Sequence, residues 1–223
     1  MAVGHQKDEE YKENYLGRYT GPACRRCRRV GEKLLLKGDR CFTPKCAVDR
    51  RRTAPGERSM RRRRSSDHGI QLKEKQKARF MYGVMERQFS NYMDKAFNQS
   101  ESTGGYLLNQ LETRLDNVIY RLGFADSRRQ ARQLVIHGHF KIGDKNTNIP
   151  SYRVRPGDKI AWKESRKQKT YVKALIEDLP KRPIPEWLEL DVSELTANVR
   201  RLPDEDDLVT TVDTRLIVEF YSR

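Results

Sequence analysis

The chain has 223 residues, and its 46 Lys or Arg against 31 Asp or Glu give a formal net charge of +15 at pH 7. A charge of this size and sign favours a polyanionic partner, which in a cell most often means RNA or DNA. Because only 36% of the residues are hydrophobic and 35% are charged, we expect a modest core and a highly charged assembly subunit instead of a compact enzyme.

The first residues carry no targeting signal that we recognise. The segment from Met1 to Tyr15 is acidic and has no apolar run, so it resembles neither a secretory signal nor an Arg-rich transit peptide. No stretch of the sequence approaches the ~20 apolar residues of a membrane span. We therefore expect a cytoplasmic protein with no membrane partner, and we interpret residues 1–20 as a polar N-terminal extension.

Four cysteines in the segment 21–49 form the most specific motif. Cys24, Cys27, Cys41 and Cys46 follow the spacing C-x2-C-x13-C-x4-C. Two close cysteine pairs in a cytosolic chain predict a tetrahedral metal site, and its role would be structural because the protein supplies all four ligands. Zn²⁺ is the predicted ion. An iron-sulfur cluster is the alternative, since such clusters also take four thiolates.

Arginine is concentrated around and after the cysteines. Between Cys24 and Arg64 there are 16 Lys or Arg and 4 Asp or Glu. The run from Arg61 to Arg64 has no periodicity, which indicates a loop or arm, and its place between a knuckle and a basic helix favours phosphate contacts. The predicted RNA contacts of this segment are Arg25, Arg26, Arg28, Arg61, Arg62, Arg63 and Arg64.

A helical segment follows the basic arm. Apolar residues return at helical spacing between Ile70 and Phe97, where Gly83 predicts a break between two helices. Lys73 and Lys77 are expected to share an outer face of the first helix and are candidate RNA contacts. Gly104-Gly105 is interpreted as a linker.

A third helix is predicted from Leu108 to Leu122, with Arg114 and Arg121 away from its apolar face. Ser127 should begin the next helix as its N-cap, and Gln130 completes a capping box. Two helices joined by a short turn, with arginines at the start of the second, are typical of a compact phosphate-binding unit.

The second of these helices carries the densest set of candidates. Arg128, Arg129 and Arg132 lie on one turn with no acidic partner in the same helix, which favours a phosphate ligand over a solvated surface. His137 and His139 follow at its end. We expect a hydrogen-bonding or phosphate contact there and no acid-base chemistry.

Short strands are predicted around Phe140-Ile142, at Val154 and over Lys159-Trp162, and a last strand at Leu216-Phe220. Residues 106–172 hold 14 basic and 6 acidic side chains, whereas residues 186–223 hold 4 basic and 10 acidic ones. The first of these segments should therefore face nucleic acid, and the second should not.

Several motifs together resemble the small-subunit ribosomal protein four ("S-four") family, in its bacterial form with a cysteine knuckle. They extend over the chain from Arg18 to its last residues. The matching stretches are Arg18-Cys27, Gly69-Lys77, Tyr82-Phe89, Arg114-Phe124, Ser127-Val135, Pro150-Asp158 and Val218-Arg223.

The resemblance implies an α+β, mainly helical fold, in which a helical domain is interrupted by an inserted αL-type RNA-binding module built from a helix pair and a small antiparallel sheet. The predicted segments are the extension (1–20), the knuckle (21–49), the basic arm and helical domain (50–111), the module (112–175) and a C-terminal segment that packs back on the helical domain (176–223).

The resemblance also implies a function and its partners. Family members bind small-subunit rRNA at a five-way junction, nucleate assembly of the subunit body and affect decoding accuracy together with small-subunit ribosomal protein five. Their basic N-terminal part lines the mRNA entry channel, which assigns Lys45, Arg50 and Arg51 to mRNA. The predicted rRNA contacts of the helical domain and module are Lys73, Lys77, Arg114, Arg121, Ser127, Arg128, Arg129, Arg132, Gln133, His137, Lys141, Tyr152, Arg153 and Arg155.

Two features depart from the family pattern. Residues 1–17 extend beyond its usual start, and Pro55-Gly56-Glu57-Arg58-Ser59 replaces the usual Pro-Gly-Gln-His-Gly. Some members lack the cysteines, so the metal would be a stabiliser and not a requirement of the fold. The alternatives are an RNA-modifying enzyme, similar to pseudouridine synthases with the same module, and a translational repressor as a second role. Asp116 lies in a predicted amphipathic helix and not in a catalytic segment, which argues against the enzyme.

Overall fold

The structure is a computed structural model that describes residues 19–51, 53–56, 65–100, 102–179, 183–204, 207 and 211–222. Most of the predicted N-terminal extension and the run Arg61–Arg64 lie outside the described residues. In chain order the elements are α1 (Ala23–Val30), a 3-10 helix (Gly38–Phe42), α2 (Ala47–Arg50), α3 (Asp67–Tyr82), α4 (Glu86–Phe97), α5 (Thr103–Glu112), α6 (Leu115–Arg121), α7 (Arg128–Ile136), β1 (Phe140–Ile142), β2 (Lys145–Thr147), β3 (Lys159–Trp162), α8 (Glu164–Lys167), α9 (Thr170–Asp178), β4 (Leu188–Asp191), β5 (Thr196–Val199) and α10 (Thr214–Tyr221).

The N-terminal segment is small and depends on its neighbours for burial. Helix α1 ends at Gly31, whose φ of 85° is left-handed and therefore suits glycine. Cys27, Val30 and Leu34 form the buried centre, against which Phe80 of α3 packs. A core of this size cannot fold alone, so the segment is stabilised by the helix beneath it.

Helices α3, α4, α5 and α10 form the helical domain. Ser66 begins α3 by accepting a hydrogen bond from the backbone N–H of Gly69, and the helix ends before Gly83 at φ 64°. The predicted break at Gly83 is therefore confirmed. All four helices contribute to one core, which contains Phe89, Met93, Leu107, Leu111 and Ile217 among others.

The second half of the chain builds a helix pair on a five-stranded antiparallel sheet. The strand order is β2-β1-β3-β5-β4, with Phe140 opposite Trp162 and Ile160 opposite Ala197. Trp162 and Phe140 are fully buried, with ring centroids 4.6 Å apart. The predicted strands at Phe140-Ile142 and Lys159-Trp162 are present, and the α+β class is confirmed.

The last strand predicted at Leu216-Phe220 is wrong, because Thr214–Tyr221 is helix α10. The β-branched run favours a strand locally, but its apolar side chains pack between α3 and α5. Asp213 caps this helix by accepting a hydrogen bond from the backbone N–H of Arg215.

Two further predictions about α5 differ from the structure. Gly104-Gly105 is not a linker but lies in the first turn of α5, where Gly104 is pressed against Thr214. The helix predicted from Leu108 to Leu122 is interrupted, since α5 ends at Glu112 and α6 begins at Leu115. At the break, the backbone of Arg114 pairs with Arg153, and Leu115 N–H donates to the Tyr152 carbonyl.

The C-terminal segment 176–223 divides between the two halves. The β4–β5 hairpin extends the sheet through β3, whereas α10 packs on α3 and α5. The predicted domain limits themselves stay predictions. Among the described residues, no helix combines the length and apolar character that a bilayer crossing requires.

Candidate nucleic-acid interface

The start of helix α7 is fixed by the predicted capping box. The Ser127 hydroxyl accepts from the backbone N–H of Gln130 at 3.3 Å, and the Gln130 side chain accepts from the N–H of Asp126 at 2.9 Å. The return bond thus goes one residue before the N-cap. This cap sets the helix phase and so decides where Arg128, Arg129 and Arg132 point.

These arginines border a cavity that we call the basic cleft. It lies between the segment ahead of α1, α1 itself, the end of α3 and helix α7, and its volume is about 270 Å³. Its lining is Tyr19, Thr20, Ala23, Arg26, Leu35, Leu36, Arg79, Phe80, Met81, Tyr82, Gly83, Val84, Met85, Asp116, Arg128, Arg129, Arg132, Gln133, Ile136 and His137. Five arginines and one acidic residue therefore share a wall that is otherwise largely apolar.

Two of the five arginines lie against aromatic rings. The guanidinium carbon of Arg26 is 4.2 Å from the ring centre of Tyr19 and 4.6 Å from that of Phe80. The guanidinium carbon of Arg128 is 4.9 Å from the ring centre of Tyr82 and 4.5 Å from that of Tyr120. Ring contacts hold the guanidinium planes in place and leave N–H groups at their edges for a ligand.

The positive charges of the cleft are close enough to affect one another. Burial lowers the pKa of Arg26, and the nearby Arg79 and Arg129 lower it further, while Tyr19 opposes the shift. Asp116, the one acidic residue in the lining, is buried and engaged by Arg114 at 2.7 Å and Arg132 at 3.3 Å. The charge facing the opening is therefore positive.

A buried network behind the cleft connects α3, α5, α6 and α7. The Glu112 carboxylate accepts from the Tyr82 hydroxyl at 2.6 Å, from Asn117 Nδ2 at 2.6 Å and from Arg121 at 2.7 and 2.9 Å. Arg128 Nε in turn donates to Asn117 Oδ1 at 2.7 Å. The five members of the network thus come from four helices, with Asn117 and Arg121 both in α6.

Burial and charge shift the pKa values in this network. Burial alone would raise the pKa of Glu112, but its hydrogen bonds and ion pair with Arg121, together with Arg128, hold that pKa below its usual range. Burial, with the neighbouring Glu112 carboxylate, raises the pKa of Tyr82 well above its usual range. At neutral pH the carboxylate is therefore charged and the phenol is neutral.

Two predicted RNA contacts are buried in ion pairs within the protein. Arg114 is fully buried, donating to both oxygens of Asp116 and to the Tyr92 hydroxyl. Lys77 is 4% exposed and pairs with Glu32 at 2.8 Å and Glu74 at 3.0 Å. Lys73 is exposed, so Lys73 and Lys77 do not share an outer face as predicted. Burial leaves neither Arg114 nor Lys77 a surface for phosphate, and each has an internal role instead.

Arg121 is also engaged internally, through Glu112, although its side chain is 23% exposed. Most other predicted contacts are accessible. Exposed are Arg25, Lys45, Arg50, Arg51, Lys73, Arg129, Gln133, His137 and Arg155. Half-buried are Arg26, Arg28, Ser127, Arg128, Arg132, Lys141, Tyr152 and Arg153. The cleft brings Arg26 together with Arg128, Arg129, Arg132, Gln133 and His137, whereas Lys141, Tyr152, Arg153 and Arg155 lie outside it.

Several residues of this site were not found by sequence reasoning. Arg79 stands in a helix whose pattern gives it no distinction, and the sequence assigned no role to the ring supports Tyr82 and Tyr120. Glu112 carried no signal either. In the sequence, Glu112 and Arg121 are related only by a spacing of nine residues. That spacing indicates an ion pair only once the break between α5 and α6 is known.

The four cysteines form no disulfide, and Cys27, Cys41 and Cys46 are buried while Cys24 is half-buried. Burial raises the pKa of the Cys27 thiol, and the charges of the other three cysteines raise it further. Four thiols have the donor chemistry that zinc prefers. Among the described residues, however, no group of three or more Cys, His, Asp or Glu side chains is arranged to hold a metal ion, so the knuckle is not confirmed.

His139 is not at the surface as expected but is buried, and its ring meets that of Trp162 edge-on at 5.7 Å. Burial, followed by the charges of Lys169 and Arg166, lowers its pKa. Within the described part of the chain, its Nδ1 has no hydrogen-bond partner. A neutral, buried ring of this kind has a structural role.

Two family models match consecutive parts of the chain. Residues 18–112 match the model of the ribosomal protein S4/S9 N-terminal domain, and residues 113–160 match the S4 domain. The chain belongs to the ribosomal protein S4 family. This confirms the family resemblance and places α6, α7, β1, β2 and the start of β3 in the S4 domain, with helices α1 to α5 in the preceding one.

Relatives in this family match over nearly the whole chain. A protein of Pelotomaculum thermopropionicum is 52% identical over 208 residues, one of Thermus thermophilus is 50% identical over 209, and one of Desulforamulus reducens is 53% identical over 208. Each match covers 93% of this chain and the complete relative. All three relatives carry the name small ribosomal subunit protein uS4.

Proposed function

We propose that this protein is a structural constituent of the small ribosomal subunit and binds its rRNA. The observation that carries the proposal is the match of 93% of the chain, at about 50% identity, to complete relatives named small ribosomal subunit protein uS4. The basic cleft supports it, because its five arginines outnumber the two acids that pair with them, Asp116 and Glu86, and so form a surface suited to phosphates.

The proposed mode of binding is recognition of a folded RNA through its backbone. Arginines held by aromatic rings and by a buried hydrogen-bond network present their N–H groups without losing much side-chain freedom on binding. Structured RNA is read mainly through shape, phosphate and ribose contacts. The protein would accordingly stabilise one arrangement of rRNA helices and promote assembly of the subunit body.

Salt dependence of binding tests this mode. The probe is a fragment of small-subunit rRNA that contains the junction bound by the family, and the readout is the dissociation constant between about 50 and 300 mM KCl. About six phosphate contacts, at ~0.7 to ~0.9 ions released per contact, give a log-log slope of about −4 to −5. A slope near zero, or absence of the protein from purified small subunits of the source organism, would contradict the proposal.

An RNA-modifying enzyme is not favoured, because the chain belongs to a ribosomal protein family over nearly its whole length. Among the described residues, the Asp116 carboxylate is paired with Arg114 and Arg132, which gives it a structural role. No observation favours a separate repressor role.

We infer from the family resemblance that the protein also contacts small-subunit ribosomal protein five and mRNA at the entry channel. Exposure of Lys45, Arg50 and Arg51 beside the cysteine segment supports the mRNA contact. Crosslinking of mRNA to purified small subunits, with wild type compared with a Lys45→Gln, Arg50→Gln and Arg51→Gln variant, tests it. Equal crosslinking of both proteins would remove this assignment.

We also propose that Cys24, Cys27, Cys41 and Cys46 hold a structural metal ion, with Zn²⁺ favoured over an iron-sulfur cluster. Support comes from the donor set of four thiols that form no disulfide, and when bound the ion would crosslink α1 with the segment ahead of α2. Elemental analysis of the purified protein should find about one metal per chain in wild type and none in Cys27→Ser. Metal-free wild-type protein would contradict this assignment.

A further inference from the structure

The basic cleft combines two properties that phosphate binding alone does not require. A surface that only neutralises phosphates needs exposed cations, yet this cavity is enclosed by Leu35, Leu36, Met81, Val84 and Ile136 as well as by arginines. Ile136 is 49% exposed and Met85 42% exposed at its mouth. Exposed apolar side chains beside cations suit a ligand that has a flat apolar part and an anionic part.

One arginine of the cleft has unused hydrogen-bonding capacity. Arg79 is engaged by Gln76 and Glu86, and Arg132 by Asp116, so neither is the free donor. Arg128 uses Nε on Asn117, and among the described residues its two terminal nitrogens donate to no protein acceptor. The terminal nitrogens of Arg128 are therefore available to an acceptor-rich ligand such as a phosphate.

The size of the cavity limits the ligand. A volume of about 270 Å³ is near the lower end of the range of small-molecule pockets, roughly 300–1,000 Å³. One nucleobase with part of its sugar fits this space, whereas an RNA duplex does not. Ring stacking on aromatic or guanidinium planes is how proteins commonly hold an unstacked base.

We propose that the basic cleft receives one unstacked nucleotide of the bound RNA, with its base against the apolar wall near Ile136 and its phosphates on the edges of Arg128 and Arg129. This inference rests on the proposed rRNA-binding function and adds to it the kind of nucleotide that is bound. Such a nucleotide would be flipped out of a loop, bulge or junction, which is where single-stranded bases in folded RNA are available.

The test fills the cleft without changing charge. Ile136→Trp places an indole at the mouth, and its matched control is Ile176→Trp, at a 38% exposed position of α9 outside the cleft. Nucleobase-specific chemical probing of the junction fragment is the readout. Wild type and Ile176→Trp should protect the same unpaired base, whereas Ile136→Trp should lose protection at that base alone and bind on the order of tenfold more weakly.

A second pair of variants removes charge without filling space. Arg129→Gln should lose protection of the phosphate next to the same base, whereas Arg87→Gln, an exposed arginine of α4 outside the cleft, should leave the footprint unchanged. Circular dichroism and thermal unfolding of each variant verify that it is folded. A footprint that is the same in Ile136→Trp and wild type, or weakened evenly over the RNA, would overturn the inference.

Two further outcomes are decided by the same samples. If adenosine or guanosine monophosphate displaces the RNA at micromolar concentration, the cleft binds a free nucleotide and the inference about RNA is wrong. Absence of competition below about millimolar concentration supports the RNA strand as the source. Failure of wild-type protein to bind the fragment at all would remove the proposed function, whereas normal binding by a folded Ile136→Trp removes only the nucleotide pocket.

Discussion

At the scale of single residues, the buried carboxylate of Glu112 carries the largest share of polar contacts near the cleft. It is 2% exposed and accepts from Tyr82, Asn117 and Arg121. Buried charges of this kind are costly unless fully paired, and here three side chains supply the contacts. Loss of the negative charge would leave a guanidinium without its partner.

Glu112→Gln should therefore lower the free energy of unfolding by about 3–5 kcal/mol, because one member of a buried ion pair is removed while Arg121 remains. Urea denaturation followed by circular dichroism measures it. The matched control is Glu189→Gln, whose partner Arg200 is 61% exposed, so water screens the pair and we expect a much smaller loss than for Glu112→Gln. Equal losses in the two variants would show that burial of Glu112 has no special effect.

Glu112 should also contribute to acid sensitivity. Its pKa is lower in the folded state than in the unfolded chain, so its contribution is complete above about pH 4.3 and is lost as pH falls through the folded pKa. Glu112→Gln should consequently show a shallower loss of stability on acidification than wild type, measured as urea midpoints between pH 6 and pH 3. A parallel pH profile of the two proteins would contradict this.

His139 acts in a different pH window. Burial and neighbouring cations lower its pKa, so the unfolded chain takes up a proton first, near pH 6.5, and the folded state loses stability as pH falls below that value. His139→Phe should flatten this part of the profile. Unfolding free energies at pH 5.5 and pH 8 measure the change, and His137→Phe, at an exposed position, should retain the slope of the wild type.

At the scale of elements, the contact between α5 and α10 depends on a glycine. A Cβ at Gly104 would lie 2.5 Å from Thr214 Oγ1 and 2.7 Å from Thr214 Cβ, both closer than real contacts allow. Gly104 permits the start of one helix to approach the start of the other. The apolar face of α10, with Ile217 fully buried, is thereby brought onto α3 and α5.

Gly104→Ala should destabilise the protein by about 1–3 kcal/mol, although alanine favours helix, because overpacking outweighs propensity. Gly69→Ala in α3 is the control. Its new Cβ would meet its nearest atom, Ser66 Oγ, at 3.4 Å, so we expect a neutral effect or a gain of up to about 1 kcal/mol. Thermal denaturation of both variants decides, and stabilisation by Gly104→Ala would contradict the crowding of this contact.

The elements also show what could be predicted from the sequence. The Ser127 cap and the helix end at Gly83 are local features, so residue types alone identified them. The break between α5 and α6 depends on pairing with Tyr152 and Val154, and no local pattern records a partner about forty residues away. Helix α10 was mistaken for a strand because tertiary packing overrides the β-branched run.

The candidate site was predictable to a similar extent. Arg128, Arg129 and Arg132 were identified from charge on one helical turn, and the structure places all three at the cleft. Exposure of Lys77 and Arg114 was predicted from helix periodicity, which cannot register an acidic partner from another element such as Glu32. A cavity bordered by four separate segments has no single sequence signature, so Arg79 was missed.

At the scale of the whole molecule, charge is distributed unevenly. Residues 106–172 carry 14 basic and 6 acidic side chains, and residues 186–223 carry 4 basic and 10 acidic ones. The α7 side of the basic cleft lies within the basic residues 106–172, and its other side comes from the N-terminal segment and the end of α3. Strands β4 and β5 lie within the acidic residues 186–223. An RNA ligand should accordingly approach from the side of α1 and α7.

Hydrogen exchange with and without the rRNA junction fragment tests this orientation. Amides of α1 and of the α7 N-terminus should become protected on binding, because RNA would cover them. Amides of β4 (Leu188–Asp191) should exchange as in the free protein. Protection concentrated on β4 and β5 would place the RNA on the opposite face and contradict the orientation.

The joint between the two matched family segments lies between Glu112 and Thr113. The Glu112 carboxylate lies on one side of this boundary. Its donors Asn117 and Arg121 lie on the other side. The hydrogen bonds therefore cross the boundary between the two family segments. An S4 domain separated from Glu112 would leave three nitrogens, Asn117 Nδ2 and two of Arg121, without their common acceptor. Recombining this S4 domain with a foreign N-terminal half would require an acidic residue at the same place.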